Sequence, residues 1–476
     1  MDNTLVHKTA TGAIWATIDR FGNMALQFIV NLVLARLLMP DDFGAIGMLA
    51  IFIAVSQVII DGGFGNALIQ KKNPSQTDYS TIFYWNIGLS TVMYSLLYAF
   101  SPYIAIYFKM PILSDVLRAI GLILITTSII SIQTVRLRKQ LAFKTIAITN
   151  LGSYITASGL AIYLAYIGWG VWSLVLLQIT SGIMSIILYW VQTRWHPSLT
   201  FSIKTICSLF SFGGYLFAAG ILQEVCKNLQ GIIIGKKFSA TQMGYYSQAY
   251  KLDIVCSYSI PQVIVQVMFP VYSSIQDDKQ KLIAILSMNI RIISFLIFPL
   301  MGLLILIAEP LINALYGKIW LPCVPYFQIL CIGGLFVCLQ NINFYAVAAV
   351  GRSRNLFLWS FYKWGFLLAA LLIGINWGIY GLLWGMVLSS LNIYLINAYL
   401  AFRFVGISII NQIINILINI ALTFIAFTIA WTINSYFNLH FIIMSIIFTL
   451  SYLVLAYGFK NKGLFESINL AKRLIK

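Results

Sequence analysis

Leu34-Ala35-Arg36-Leu37-Leu38-Met39-Pro40-Asp41-Asp42-Phe43-Gly44 lies, at a spacing of 200 residues, over Ile234-Gly235-Lys236-Lys237-Phe238-Ser239-Ala240-Thr241-Gln242-Met243-Gly244. In both stretches an apolar run ends at a basic residue, and the next run opens at a glycine. Few side chains are identical. The register gains its meaning from what surrounds it, because each copy is embedded in six apolar runs long enough to cross a bilayer. An even number of crossings brings both halves into the membrane the same way round. Two parallel six-helix lobes, related by an axis along the membrane normal, are a transporter plan with the substrate site between the lobes.

A window of about 20 residues places the spans near 13–38, 44–69, 80–105, 113–134, 145–167 and 171–192, then 207–235, 252–274, 287–308, 325–350, 356–374 and 378–402. Two more follow outside the repeat, near 411–433 and 438–459. The predicted fold is therefore all-α, a polytopic membrane protein of about fourteen transmembrane helices. Residues 1–202 and 203–408 form the two lobes, and residues 409–476 form two extra helices and a basic cytoplasmic tail.

Composition agrees, with 60% of residues apolar and 9% charged, where soluble domains carry about 25% charged residues. Mean hydropathy is +0.90. The net charge of +17 does not point to nucleic acid, because the Lys and Arg residues are scattered over short loops with no basic domain to hold them. Their distribution is instead asymmetric. Loops on the N-terminal side hold Lys71, Lys72, Arg136, Arg138, Lys139, Lys144 and fourteen others, against Arg36, Lys109, Lys236, Lys237, Lys251 and Lys318 opposite. The positive-inside rule then puts both termini in the cytoplasm. The polar N-terminus and the long first run do not read as a cleavable signal peptide.

Within the first span Asp19 and Arg20 are followed by Asn23, Gln27 and Asn31. Arg20, Asn23, Gln27 and Asn31 fall within roughly 80° of one another on a helix, one polar stripe on a segment meant for lipid. Charges at such depth cost several kcal/mol and usually face a protein interior or an aqueous path. The first span of the second lobe carries Gln223, Glu224, Lys227, Asn228 and Gln230, with Gln223 over Asn23 and Lys227 over Gln27. We expect Arg20, Asn23, Gln27, Asn31, Gln223 and Lys227, with Lys363 from a later span, to line a substrate cavity. Gln340, Asn341 and Asn343 are secondary candidates. Asp19, Asp61 and Glu224 are candidates for ion coupling or for charge pairing, since Glu224 and Lys227 at i,i+3 permit a neutralising pair. Asp61 precedes Gly62, Gly63 and Gly65, where it would bind a coupling ion or cap a broken helix; Pro261 holds the corresponding place in the second lobe. Gly231…Gly235, Gly374…Gly378 and Gly381…Gly385 read as helix-packing spacings.

No nucleophile–base set or phosphate loop is visible, so no catalytic residue is expected. Six cysteines without ligand spacing and three histidines at span ends argue against a metal site, and no cofactor is expected.

Several segments resemble one family. Residues Leu34 to Gly44 resemble the "LAR-L-L-x-P-x-D/E-[FY]-G" signature of bacterial polysaccharide flippases, and Asp61-Gly62-Gly63-Phe64-Gly65-Asn66-Ala67-Leu68-Ile69 resembles their "D-x-G-x-x-x-A-L-I" segment. Arg136 to Lys144 is similar to their "R-x-L-x-F-K" stretch. Met243-Gly244-Tyr245-Tyr246-Ser247 and Phe269 to Asp278 match "G-Y-Y" and "F-P-x-x-S-x-x-Q-x-D". Met39 before the proline and Gln242-Met243 before the second glycine depart from the pattern. The resemblance covers roughly residues 10 to 410 and extends to the multidrug/oligosaccharidyl-lipid/polysaccharide exporter superfamily.

It implies two six-helix lobes, a central cationic cavity and alternating access in a bacterial inner membrane. The implied cargo is an undecaprenyl-pyrophosphate-linked oligosaccharide, whose head Arg20 and Lys227 would neutralise. A polysaccharide polymerase and a chain-length protein are the expected partners, nucleic acid is not, and the protein is expected to work as a monomer. The rival readings are a drug or cation antiporter of the same superfamily, a membrane glycosyltransferase or polymerase, and a non-transporting scaffold.

Overall fold

The computed structural model describes the backbone of residues 3–437 and 439–475. The described residues are helical throughout apart from short connections, with no strand among them. By packing, the chain divides into two units, Met1–Gly244 and Tyr245–Lys476.

The first unit holds α1 (Asn3–Leu37), α2 (Pro40–Asp61), α3 (Phe64–Gln70), α4 (Gln76–Phe108), α5 (Ile112–Ile120), α6 (Leu122–Lys139), α7 (Phe143–Tyr166), α8 (Val171–Thr193) and α9 (Ile203–Lys237). Then α10 (Ala240–Ile254) begins in it and runs into the second unit. The second unit continues with α11 (Ile260–Ser274), α12 (Lys279–Leu306), α13 (Ala308–Tyr316), α14 (Val324–Ala349), α15 (Ser353–Gly374), α16 (Gly378–Phe404), α17 (Ile409–Phe437), α18 (Phe441–Gly458) and α19 (Lys462–Ile475).

Among the described residues, ten helical stretches are long and apolar enough to cross a membrane, and one of them, Arg354–Phe404, contains both α15 and α16. Two predicted spans are broken. The run 44–69 divides at Gly62 and Gly63, whose φ of 52° and 77° stop α2 and restart α3. The run 113–134 divides at Gly121 into α5 and α6. The run expected to start at 252 starts at Ala240 and carries a π-helical turn at Val255–Ser259 just before Pro261. At the C-terminus α19 occupies part of what composition reads as a basic tail.

The 200-residue register is exact in the backbone: α1 and α9 are each 35 residues long, and α2 and α10 open at Pro40 and Ala240. The copies meet reciprocally. A Cβ on Gly44 would lie 1.9 Å from the Ala240 carbonyl oxygen, and one on Gly244 would lie 2.0 Å from that of Pro40. Thr241 Oγ1 donates to Asp41 Oδ1 at 2.6 Å beside this crossing. Further along, α9 packs on α2 through Gly231, whose Cβ would meet the Gly47 carbonyl at 2.9 Å, and through Gly235 against Met48. Glycine is required at Gly44, Gly231 and Gly244 because backbone approaches backbone there.

Local capping explains the loop motifs. Ser75 and Asp78 form a reciprocal capping box at the start of α4, and Lys71 Nζ binds Asp78 Oδ2 at 2.7 Å. Lys139 on α6 donates to the carbonyls of Leu68, Ile69 and Lys71 and so closes the C-terminus of α3. Arg136 stacks on Trp195 at 5.0 Å and on Tyr79 at 5.7 Å. In the second unit α12, α17 and α18 share a core of Phe295, Leu422, Phe448 and Tyr452, and α19 is latched to α12. Arg291 Nε donates to Glu466 Oε2 at 2.9 Å, and the nearby Asn461 amide donates to Asn419, whose own amide donates to Ser294.

Candidate functional site

The polar stripe of α1 is sorted by its neighbours. Asp19 turns toward α7, where its Oδ1 accepts from Asn150 Nδ2 at 3.0 Å and from Asn23 Nδ2 at 2.8 Å. The same Asn23 amide reaches the Asp19 carbonyl at 2.8 Å, and Tyr189 of α8 donates to Asn150 Oδ1 at 2.9 Å. A carboxylate with two amide donors is held in the helix interface at modest net cost. One residue further, about 100° round the helix, Arg20 is exposed, as is Gln27, while Asn23 and Asn31 are half-buried.

The stripe of α9 repeats this arrangement. Asn228 Nδ2 donates to the Glu224 carbonyl at 3.0 Å and to its Oε2 at 3.1 Å, the same i,i+4 acid–amide clamp as Asp19 and Asn23. Lys227 is exposed and stands 3.7 Å from Glu224, and Gln223 is exposed beside them. The expected Glu224–Lys227 pair is thus present, but long, and 53% of the Lys227 side chain is accessible. In both helices the acid is tied to a neighbouring amide and the base is left accessible.

Lys363 is in different surroundings. It is buried between α15 and α16, and its Nζ donates to Asn397 Oδ1. Asn397 in turn donates to the Gln340 carbonyl of α14 at 2.9 Å, and the Phe344 ring lies 5.9 Å from the ammonium. Asn343 is directed elsewhere, donating to Gln412 of α17 at 3.0 Å. Asp61 ends α2 where the backbone N–H groups of Gly63 and Gly65 face it, the geometry of a cap on the broken helix. No group of three or more His, Cys, Asp or Glu side chains able to hold a metal occurs among the described residues.

Two residues escape the sequence reading. Asn150, which ties Asp19 and Tyr189 together, has no signal beyond being polar in a span. Asp253 stands at the very start of the span placed at 252–274, whereas α10 begins at Ala240 and so carries it well inside a helix, buried with 5% exposure. A lone carboxylate in an apolar segment is a visible signal once the helix start is placed correctly.

The second helix of each repeat, broken at Gly62–Gly63 in one and carrying a π turn at Val255–Ser259 in the other, the crossing glycines and the polar first helices define a class, the polytopic helical membrane protein built from an internal duplication. A solved structure of the lipid II flippase MurJ, in an inward closed conformation, superposes with a TM-score of 0.73 over 97% of this chain and all of that one, at 16% identity. Residues 33–325 match the family model of polysaccharide biosynthesis proteins, and the chain belongs to that family. Among curated relatives, the teichuronic acid biosynthesis protein TuaB of Bacillus subtilis (strain 168) is 26% identical over 366 residues, covering 75% of this chain and 74% of TuaB. The lipopolysaccharide biosynthesis protein WzxC of Escherichia coli (strain K12) is 24% identical over 377 residues, covering 78% and 76%. The chain is a multi-pass helical membrane protein of the polysaccharide biosynthesis family with the fold seen in MurJ.

Proposed function

We propose that this protein is a flippase that moves a polyprenyl-pyrophosphate-linked oligosaccharide from the cytoplasmic to the outer face of a bacterial cytoplasmic membrane by alternating access. The observation that carries this reading is the division of charge on α1 and α9. Asp19 and Glu224 are held by Asn23, Asn150 and Asn228, while Arg20 and Lys227 remain accessible. A dianionic head needs basic groups sheltered from lipid, whereas its isoprenoid tail can stay in the bilayer. Gln27, Asn31 and Gln223 supply amides suited to sugar hydroxyls. Both termini lie in the cytoplasm in this reading, as the loop charges demand.

The test uses a strain lacking the gene, complemented with wild type, Arg20→Ala or Lys227→Ala. Lipid-linked oligosaccharide should accumulate in the deletion strain while surface polysaccharide disappears, and wild type alone should restore both. Normal lipid intermediates with changed sensitivity to cationic drugs would replace this reading with the antiporter.

A further inference from the structure

Among the described residues two carboxylates are buried, and their situations are opposite. Asp78, at the start of α4, is paired with Lys71 at 2.7 Å. Asp253 is 5% exposed, forms no ion pair among the described residues, and accepts one hydrogen bond, from Ser257 Oγ to Oδ2 at 3.1 Å. Its Oδ1 has no hydrogen-bond partner. Asp253 is thirteen residues into α10, about 20 Å along the axis from the helix start, inside a helical segment that continues to Ser274.

The local backbone is built around this carboxyl group. The helix passes through a π-helical turn at Val255–Ser259 immediately after it, an irregularity that recurs at functional positions. From α14, Gly334 faces the site: a Cβ there would lie 2.8 Å from Asp253 Oδ1 and 2.9 Å from Ser257 Cβ. The missing side chain is what leaves room for the carboxyl oxygen.

The surroundings decide which ion fits. The titratable neighbours are Tyr246 on α10, Cys256 on the π turn, and Cys331 and Cys338 on α14. From α12 comes Met301, which approaches Gly334, while Arg291 of that helix is engaged by Glu466. On α11, Gln262 donates to Tyr345, and Tyr272 accepts from Asn289. Lys251 is two residues before Asp253, about 200° round the helix, and is exposed. A sodium ion wants five or six oxygens, whereas the side chains around Asp253 offer the hydroxyls of Ser257 and Tyr246, thiols and a thioether. An unpaired anion there costs several kcal/mol, and binding a proton removes that cost.

We propose that Asp253 is a proton-binding site within the membrane segment, and that its protonation and release couple translocation to the proton gradient. This rests on the transporter reading above. The carboxyl group takes up a proton when the segment opens to water on one face, is neutral while enclosed, and releases the proton on the other face.

The test has two arms on purified full-length protein in proteoliposomes. The first treats them with dicyclohexylcarbodiimide, which modifies protonated carboxyl groups in apolar surroundings, and maps the adduct by mass spectrometry. Labelling at residue 253 should rise as pH falls and vanish in Asp253→Asn, a near-isosteric variant that should remain monodisperse. Absence of labelling at 253 at every pH, or protection by sodium at constant pH, overturns the proton site. The second arm measures transport of a fluorescent polyprenyl-pyrophosphate-linked saccharide with and without an imposed pH gradient. Asp253→Asn should keep gradient-independent movement and lose the stimulation. Stimulation intact in that variant overturns the coupling role while leaving the flippase reading standing. If wild type moves no lipid, the flippase reading fails, and with it the coupling role; the labelling arm still decides whether residue 253 takes up a proton.

Discussion

Arg20 and Asp19 are neighbours with separable roles, and two substitutions tell them apart. Asp19→Ala removes the acceptor shared by Asn23 and Asn150 and leaves amide donors unpaired, at a cost of about 1–3 kcal/mol. The detergent-solubilised protein should melt earlier than wild type by differential scanning fluorimetry. Arg20→Ala, at an exposed position, should shift the melting temperature less but slow lipid-linked oligosaccharide transport roughly ten- to a hundredfold, the value of one charge-assisted contact of about 1.5–3 kcal/mol. Equal losses of stability and unchanged transport in both variants would assign Arg20 to packing. The charges of the two first helices were legible in the sequence because ionisable groups stand out against an apolar background. Which of them a neighbouring helix satisfies was not, because Asn150 lies 131 residues from Asp19, and only tertiary packing brings them together.

The helices themselves were legible as apolar runs, and the repeat as a spacing between a basic residue and a glycine. What hydropathy misses is where a helix starts or breaks when polar residues occupy its ends. Ser247, Gln248, Lys251 and Asp253 lower the apolar signal of α10 although the backbone is continuous from Ala240. The glycines at the crossing of α2 and α10 carry a direct consequence. Gly44→Ala or Gly244→Ala places a Cβ about 2 Å from a carbonyl oxygen, which no rotamer change relieves. Each should destabilise by about 1–3 kcal/mol or more, whereas Gly88→Ala, with open space around its Cβ, should be neutral or slightly stabilising. Thermal melting of the three variants checks this, and equal behaviour would remove the crossing from the account. The latch on α19 is also testable. Glu466→Gln weakens the contact to Arg291, so limited trypsin digestion should cut near Lys460 and Lys462 faster than in wild type. Hydropathy averaging misses α19, because its fourteen residues average as polar although their apolar side chains share one helix face.

At the scale of the molecule, the class follows from the duplication and the family from the match over residues 33–325. The cargo follows from neither, since related folds carry different substrates and function resides in the site. The accessible bases of α1 and α9 favour an anionic head. The most direct measurement places the purified protein in liposomes containing a fluorescent polyprenyl-pyrophosphate-linked oligosaccharide and follows its loss from one leaflet with a membrane-impermeant quencher. The account predicts protein-dependent movement that Arg20→Ala and Lys227→Ala each slow at least about tenfold. Vesicles that move this lipid no faster than protein-free vesicles, while the same preparation transports a cationic drug, would contradict it.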